Sequence, residues 1–350
     1  MLQKQLTYQK PRQSNIELLR VVAMFFVLII HANFLANGIP NKELLVSSPI
    51  FATSQLFWQA VGICCVNIFV MISGWFGINF KWKGLFNLLF QILFIYNVVY
   101  LFGLITGNIE AGIGKYFYTI FKWNWFIPTY LLLYLLSPIL NLVVERSSKK
   151  LFTIIVAILL ILECVLSWGL NILDIFNNGY NVVFFVVLYL LARYLKLYGG
   201  KLLTLPKYSY VIIALACIAI IIAHGYYQMR LGASESSMKH IFSFCNPFVI
   251  LNAASLLVLF SRFSFNVKFI NVLGASSLSV LIYHIHPILF QYYKRIVIGI
   301  GDHVNGLLYL CAIALFLSLV YMISVGIDQV RIRLWKRLCS SFPNNFQKKS

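Results

Sequence analysis

The stretch NIELLRVVAMFFVLIIHANF, Asn15 to Phe34, carries an arginine, Arg20, and a histidine, His31, in an otherwise apolar run. The two are eleven residues apart. Read as a helix, that separation is about 20° past three full turns, so both side chains share a face, about 16 Å apart along the axis. Glu17 stands three residues before Arg20 and can pair with it on the helix surface. The plainer roles are a snorkelling anchor for Arg20 and a helix-contact histidine for His31. Their common face argues against both, and ionisable residues within hydrocarbon mark functional sites. A guanidinium suits a phosphate or diphosphate, held through charge-assisted hydrogen bonds. A histidine on the same face can act as base or nucleophile near neutral pH. A cytosolic donor with a phosphate head and a long reactive arm, such as acyl-coenzyme A, would touch both.

Other groups offer less. Glu163 lies inside a later apolar run, where a carboxylate serves catalysis, proton handling or helix pairing. Trp123 and Trp125 fall where an aromatic belt or a sugar-stacking platform would sit. Ser73-Gly74 suits close helix approach better than nucleophilic attack. GNIEAGIGKY, 107–116, has the wrong glycine spacing for a phosphate loop. The seven cysteines include no C-x-x-C pair, so no zinc or redox framework and no metal is expected.

The elements that must position these groups are membrane helices. Of 350 residues, 61% are apolar and 11% charged, and the mean hydropathy is +0.86. Apolar runs of about 20 residues match the length that crosses a bilayer as a helix. The expected fold is an all-α polytopic membrane protein forming a single domain over 1–350. It has about ten transmembrane helices, near 15–37, 56–78, 84–106, 124–144, 151–169, 180–198, 208–224, 242–261, 270–293 and 305–327. The net charge of +19 would suggest nucleic acid in a soluble chain. Here the basic residues sit between spans, so membrane topology and anionic lipid are the simpler explanation, with no nucleic-acid partner. With the N-terminus inside, 21 of the 28 basic residues fall on the cytoplasmic side and seven outside. That bias places both termini in the cytoplasm. Residues 1–14 form a short inner segment, and the basic tail 328–350 is expected to lie on the inner membrane surface.

The motifs carry a family resemblance. IELLRVVAMFFVLIIHA resembles the first helix of the bacterial membrane acyltransferase type 3 family, whose arginine and histidine with ten residues between are matched by Arg20 and His31. VNIFVMISGWF (66–76) resembles the family's stretch ending Ser-Gly-aromatic, matched by Ser73, Gly74 and Trp75. NWFIPTYLLLYLLSPILN (124–141), VVFFVVLYLLARYLK (182–196) and SSLSVLIYHIHPILF (276–290) resemble later segments of its polysaccharide-modifying branch. His284 is the better match to the late histidine, because Pro287 then also aligns. The basic segment that follows Ser-Gly reads GINFKWKGLFNLLFQ, with Lys81 and Lys83 but neither an arginine pair nor a proline. The tyrosine usual before the late histidine is replaced by Leu281, with Tyr283 nearby.

The resemblance implies an O-acyltransferase of the bacterial plasma membrane, with acetyl the expected acyl group. It would take that group from cytosolic acetyl-CoA and deliver it to a hydroxyl of a surface polysaccharide or its lipid-linked precursor. His31 and Glu163 are then the catalytic candidates. Arg20, Lys81 and Lys83 are candidates for the coenzyme, and Trp125 and His284 for the acceptor. His31 would either deprotonate the acceptor hydroxyl or carry the acyl group itself. The competing class is a transporter or flippase of a glycan or lipid-linked precursor, which would show paired broken helices in two repeated halves.

Overall fold

A computed structural model describes residues 12–172 and 175–341. The chain runs α1 (Ser14–Ile30), α2 (Lys42–Ser47), α3 (Pro49–Gly62), α4 (Cys65–Phe76), α5 (Trp82–Ile105), α6 (Ile113–Phe121), α7 (Phe126–Arg146), α8 (Lys149–Leu160), α9 (Val182–Tyr198), α10 (Lys207–Leu231), α11 (Glu235–Ile241), α12 (Pro247–Ser261), α13 (Lys268–Ala275), α14 (Ser277–Ile285), α15 (Pro287–His303) and α16 (Gly306–Ser341). Wider π-helical turns extend α1 over His31–Leu35 and α8 over Ile161–Gly169. No strand occurs among the described residues.

Among the described residues, seven helical stretches are long and apolar enough to cross a membrane: Ser14–Leu35, Pro49–Phe76, Trp82–Ile105, Phe126–Arg146, Lys149–Gly169, Lys207–Leu231 and Gly306–Ser340. The chain is therefore a polytopic membrane protein. Two expected spans, near 180–198 and 242–261, form the shorter helices α9 and α12, of 17 and 15 residues. Each opens on an asparagine cap: Asn181 accepts from the Phe184 N–H and Asn246 from the Phe248 N–H. α9 is buried without interruption from Val187 to Ala192, and it packs closely on α4 at the centre of the protein. Gly74 permits that approach, because a Cβ there would meet the Tyr189 carbonyl.

Two expectations need correction. The span near 270–293 is not one helix. It breaks at Ser276, where α13 and α14 bend by 42°, and again at His286. Pro287 has no N–H and disfavours helical backbone in the residue before it, so His286 turns extended (φ −60°, ψ 132°) and caps α15 through its ring. The tail does not leave the bundle at residue 328 either. α16 continues to Ser341, and both Asp328 and Arg331 are buried. They form an ion pair of 2.7 Å, to which Ser279 adds a 2.6 Å bond to Asp328 Oδ1, and Arg331 donates to Asn87 at 3.2 Å. This pairing lets charged side chains remain on an internal helix face. Residues 1–11 of the inner segment and 342–350 of the tail lie outside the described residues.

Candidate active site

α1 is fixed at its start by polar ties to the far end of the sequence. Ser14 Oγ donates to Asn271 at 2.8 Å and accepts from the Val267 N–H at 2.9 Å, while Asn15 donates to the Phe260 carbonyl at 2.9 Å. These ties mark one end of the bundle. From there α1 is regular to Ile30, so the common face of Arg20 and His31 holds. At His31 the helix widens into its π turn, a local feature that often accompanies functional residues. Asn33, within that turn, donates to the Gln55 carbonyl at 2.7 Å and holds it against α3.

The turn presents His31 to α14. His31 Nδ1 lies 2.8 Å from His284 Nε2, and His284 Nδ1 lies 2.7 Å from the Val280 carbonyl. A carbonyl only accepts, so His284 is protonated at Nδ1, and in the neutral ring its Nε2 carries the lone pair. That nitrogen can accept only from a protonated His31 Nδ1. The chain of bonds thus leaves His31 Nε2 unprotonated, with a lone pair for chemistry. His284 is buried and His31 half-buried. Tyr293 stands 5.7 Å from the His284 ring, centre to centre, and donates to the Leu28 carbonyl at 2.7 Å. Phe290 sets its edge to His31 at 6.5 Å. An apolar cavity of about 300 Å³, lined by α5, α14, α15 and α16, reaches His284.

Toward the Ser14 end, Glu17 pairs with Arg20 at 3.5 Å, as its position suggests, and with Arg12 at 3.1 Å. The other Glu17 oxygen is buried without a hydrogen-bond partner. Gly274 of α13 lies directly on Glu17, where a Cβ would collide with the carboxylate. Lys81 and Lys83 are exposed beside the turn that follows α4. Tyr134 clasps the Lys81 backbone, accepting from its N–H at 3.2 Å and donating to its carbonyl at 3.1 Å.

Glu163 is not brought to the histidine pair. It is fully buried in the α8 π turn, where its carboxyl faces the Cys245 thiol. Trp125 lies in an aromatic cluster with Tyr180 at 4.5 Å and Phe244 at 5.9 Å. His284, which the motif reading gives to the acceptor, is placed by the fold as the hydrogen-bond partner of His31. Sequence reasoning missed the Val280 carbonyl that orients it. The four-residue spacing from Val280 to His284 on a helix was the available signal.

Comparison with curated proteins and with solved structures finds no match. The acyltransferase domain family (Acyl_transf_3) matches residues 13–325, a range that contains the π turn of α1, the α4–α9 contact and both histidines of the pair. With these helices and that match over nearly its whole length, the chain belongs to the acyltransferase type 3 family and is a membrane acyltransferase.

Proposed function

We propose that this protein is an O-acyltransferase that carries an acyl group from acyl-CoA to a hydroxyl of a surface polysaccharide or its lipid-linked precursor. Acetyl is the expected group. The enzyme works in a bacterial plasma membrane with both termini in the cytoplasm. The observation that carries this reading is the hydrogen-bonded His31–His284 pair, which leaves a basic nitrogen on the same α1 face as Arg20.

His31 Nε2 takes the proton of the acceptor hydroxyl as its oxygen attacks the thioester carbonyl. The new C–O bond forms, the C–S bond breaks, and the leaving thiolate recovers the proton from His31. His284 is a positioning residue: it holds the His31 ring in the reactive tautomer and accepts from the imidazolium while it exists. In a covalent route the same nitrogen would attack the thioester and hold the acyl group before passing it on. Arg20 binds a donor phosphate, with Lys81 and Lys83 raising the local positive potential. Trp125, in its aromatic cluster, supplies a face for a sugar ring.

Membership of an acyltransferase family favours this reading over a transporter or flippase. The test is mass analysis of the surface glycan from cells carrying the gene, lacking it, or carrying His31→Ala. Acyl-bearing repeats in the first case alone support the assignment. Identical glycans in all three remove this acceptor class.

A further inference from the structure

At the bundle end marked by Ser14, α4 finishes and the chain turns at Gly77, whose φ of +75° lies in the left-handed region that favours glycine. Three hydrogen bonds pin the turn. The Ile78 N–H donates to the Tyr189 hydroxyl at 2.9 Å, that hydroxyl donates to Asn141 Oδ1 at 2.6 Å, and Asn141 Nδ2 donates to the Ile78 carbonyl at 2.8 Å. One helical turn beyond Tyr189, Arg193 lays its guanidinium on Gly77. A Cβ at Gly77 would lie 3.1 Å from Nη1 and 3.4 Å from Cζ.

Among the described residues this guanidinium has no ion-pair partner. Its Nε is buried with no hydrogen-bond partner. The ion pairs among the described residues engage Arg12, Arg20, Lys239 and Arg331, not Arg193. Glu145, one turn from Asn141 on α7, is exposed and pairs with none of these bases. Arginine presents five N–H donors in a rigid fork and keeps its charge. Arg193 is half-buried: its Nε is enclosed without an acceptor while its Nη groups are not, so an anion from outside the chain can reach the open side of the fork and supply the acceptors that the chain does not. The surroundings select its sign: Lys196 stands over the Trp75 and Phe76 rings, and Lys81 follows four residues after Gly77. A planar fork beside bare glycine backbone, with Lys196 three residues further along α9, suits a phosphate or diphosphate held through two parallel bonds.

We propose that Arg193 and the Gly77 turn form a phosphate-binding site, and that its occupant is the phosphate-bearing head of the acyl donor. The choice of occupant rests on the acyl-CoA reading above. α4 packs on α1 and on α9, so it connects this site to the helix carrying Arg20 and His31. An anionic lipid headgroup offers the same chemistry, and the experiment separates the two.

Full-length protein in phosphatidylcholine nanodiscs is titrated with coenzyme A and with pantetheine by calorimetry, for wild type, Arg193→Gln and Arg193→Lys. Losing one charge-assisted hydrogen bond corresponds to about 10- to 150-fold in affinity. Arg193→Gln is expected to weaken coenzyme A by that factor, with Arg193→Lys between it and wild type. Pantetheine, which has no phosphate, binds all three equally. Unchanged melting temperatures show that the variants are folded. Equal coenzyme A affinity in wild type and Arg193→Gln overturns the proposal. So does a stabilisation by phosphatidylglycerol nanodiscs that Arg193→Gln abolishes while coenzyme A binding is unaffected, since the occupant is then a lipid. If coenzyme A binds as expected but the glycan carries no acyl group, the function above falls and the phosphate site stands.

Discussion

Replacing His284 tests the orientation of the base directly. In the structure one bond of 2.8 Å to His284 Nε2 keeps the proton of His31 on Nδ1. His284→Leu removes that acceptor and fills the same buried volume with apolar atoms. The Nδ1–H of His31 is then buried without a partner, at a cost of about 1–3 kcal/mol. That cost falls on the reactive tautomer alone, so its population and kcat should drop about 5- to 150-fold. KM for acyl-CoA should stay near wild type, because His284 touches no residue of the Arg20 end. His284→Gln can present its amide oxygen to His31 and should recover kcat to within about tenfold of wild type. His31→Ala, which removes the base itself, should abolish transfer while membrane insertion stays normal, since alanine is cheaper to insert than histidine. The assay is free-thiol release from acyl-CoA by purified protein in proteoliposomes, with the melting temperature as folding control. Wild-type kcat in His284→Leu would refute the reasoning, as would His284→Gln no better than leucine.

Arg20→Lys should raise KM for acyl-CoA with kcat less affected, and Arg20→Gln more so, by about 10- to 150-fold for one charge-assisted bond. An equal loss with acyl-pantetheine would make Arg20 a structural partner of Glu17. Glu163→Gln should keep kcat within about threefold of wild type, because the carboxyl faces Cys245 rather than the histidine pair; loss of turnover with normal folding would return Glu163 to the reaction. Asp328→Ala leaves Arg331 buried and unpaired and should cost about 3–5 kcal/mol in stability. Asp328→Leu with Arg331→Met should recover most of it, as read by thermal melts in one detergent. In a background lacking Cys311 and Cys339, cysteines at 42 and 235 should label from outside the cell and cysteines at 149 and 201 should not; outside labelling at 201 would break the assumed helix alternation.

Much of this protein is written in local sequence. Run length and hydropathy identify membrane helices because a backbone in hydrocarbon must satisfy its own hydrogen bonds, and a helix does so within one segment. The period of 3.6 residues places Arg20 and His31 on one face, and three-residue spacing gives the Glu17–Arg20 pair, both without knowledge of any other helix. Pro287 announces a break, although the hydropathy run through 270–293 hides it, since hydropathy reports polarity and not backbone direction.

What the tertiary structure alone decided are the meetings between distant segments. His31 and His284 are 253 residues apart in the chain, and the sequence reads one as a catalytic candidate and the other as an acceptor contact without joining them. Arg193 is one base among many until α9 sets it against Gly77. Asp328 and Arg331 look like the start of a surface tail, but Ser279 and Asn87 hold them inside the bundle. Glu163, the same kind of signal as His31 in sequence, ends beside Cys245. The physical reason is common to all four. Hydropathy and period determine which face of a helix turns inward, but which inward faces meet depends on the packing of side chains against helices elsewhere in the chain. In a bilayer, apolar contact with lipid and apolar contact with protein are nearly equivalent, so hydrophobicity cannot choose the partner; close packing and buried polar bonds do.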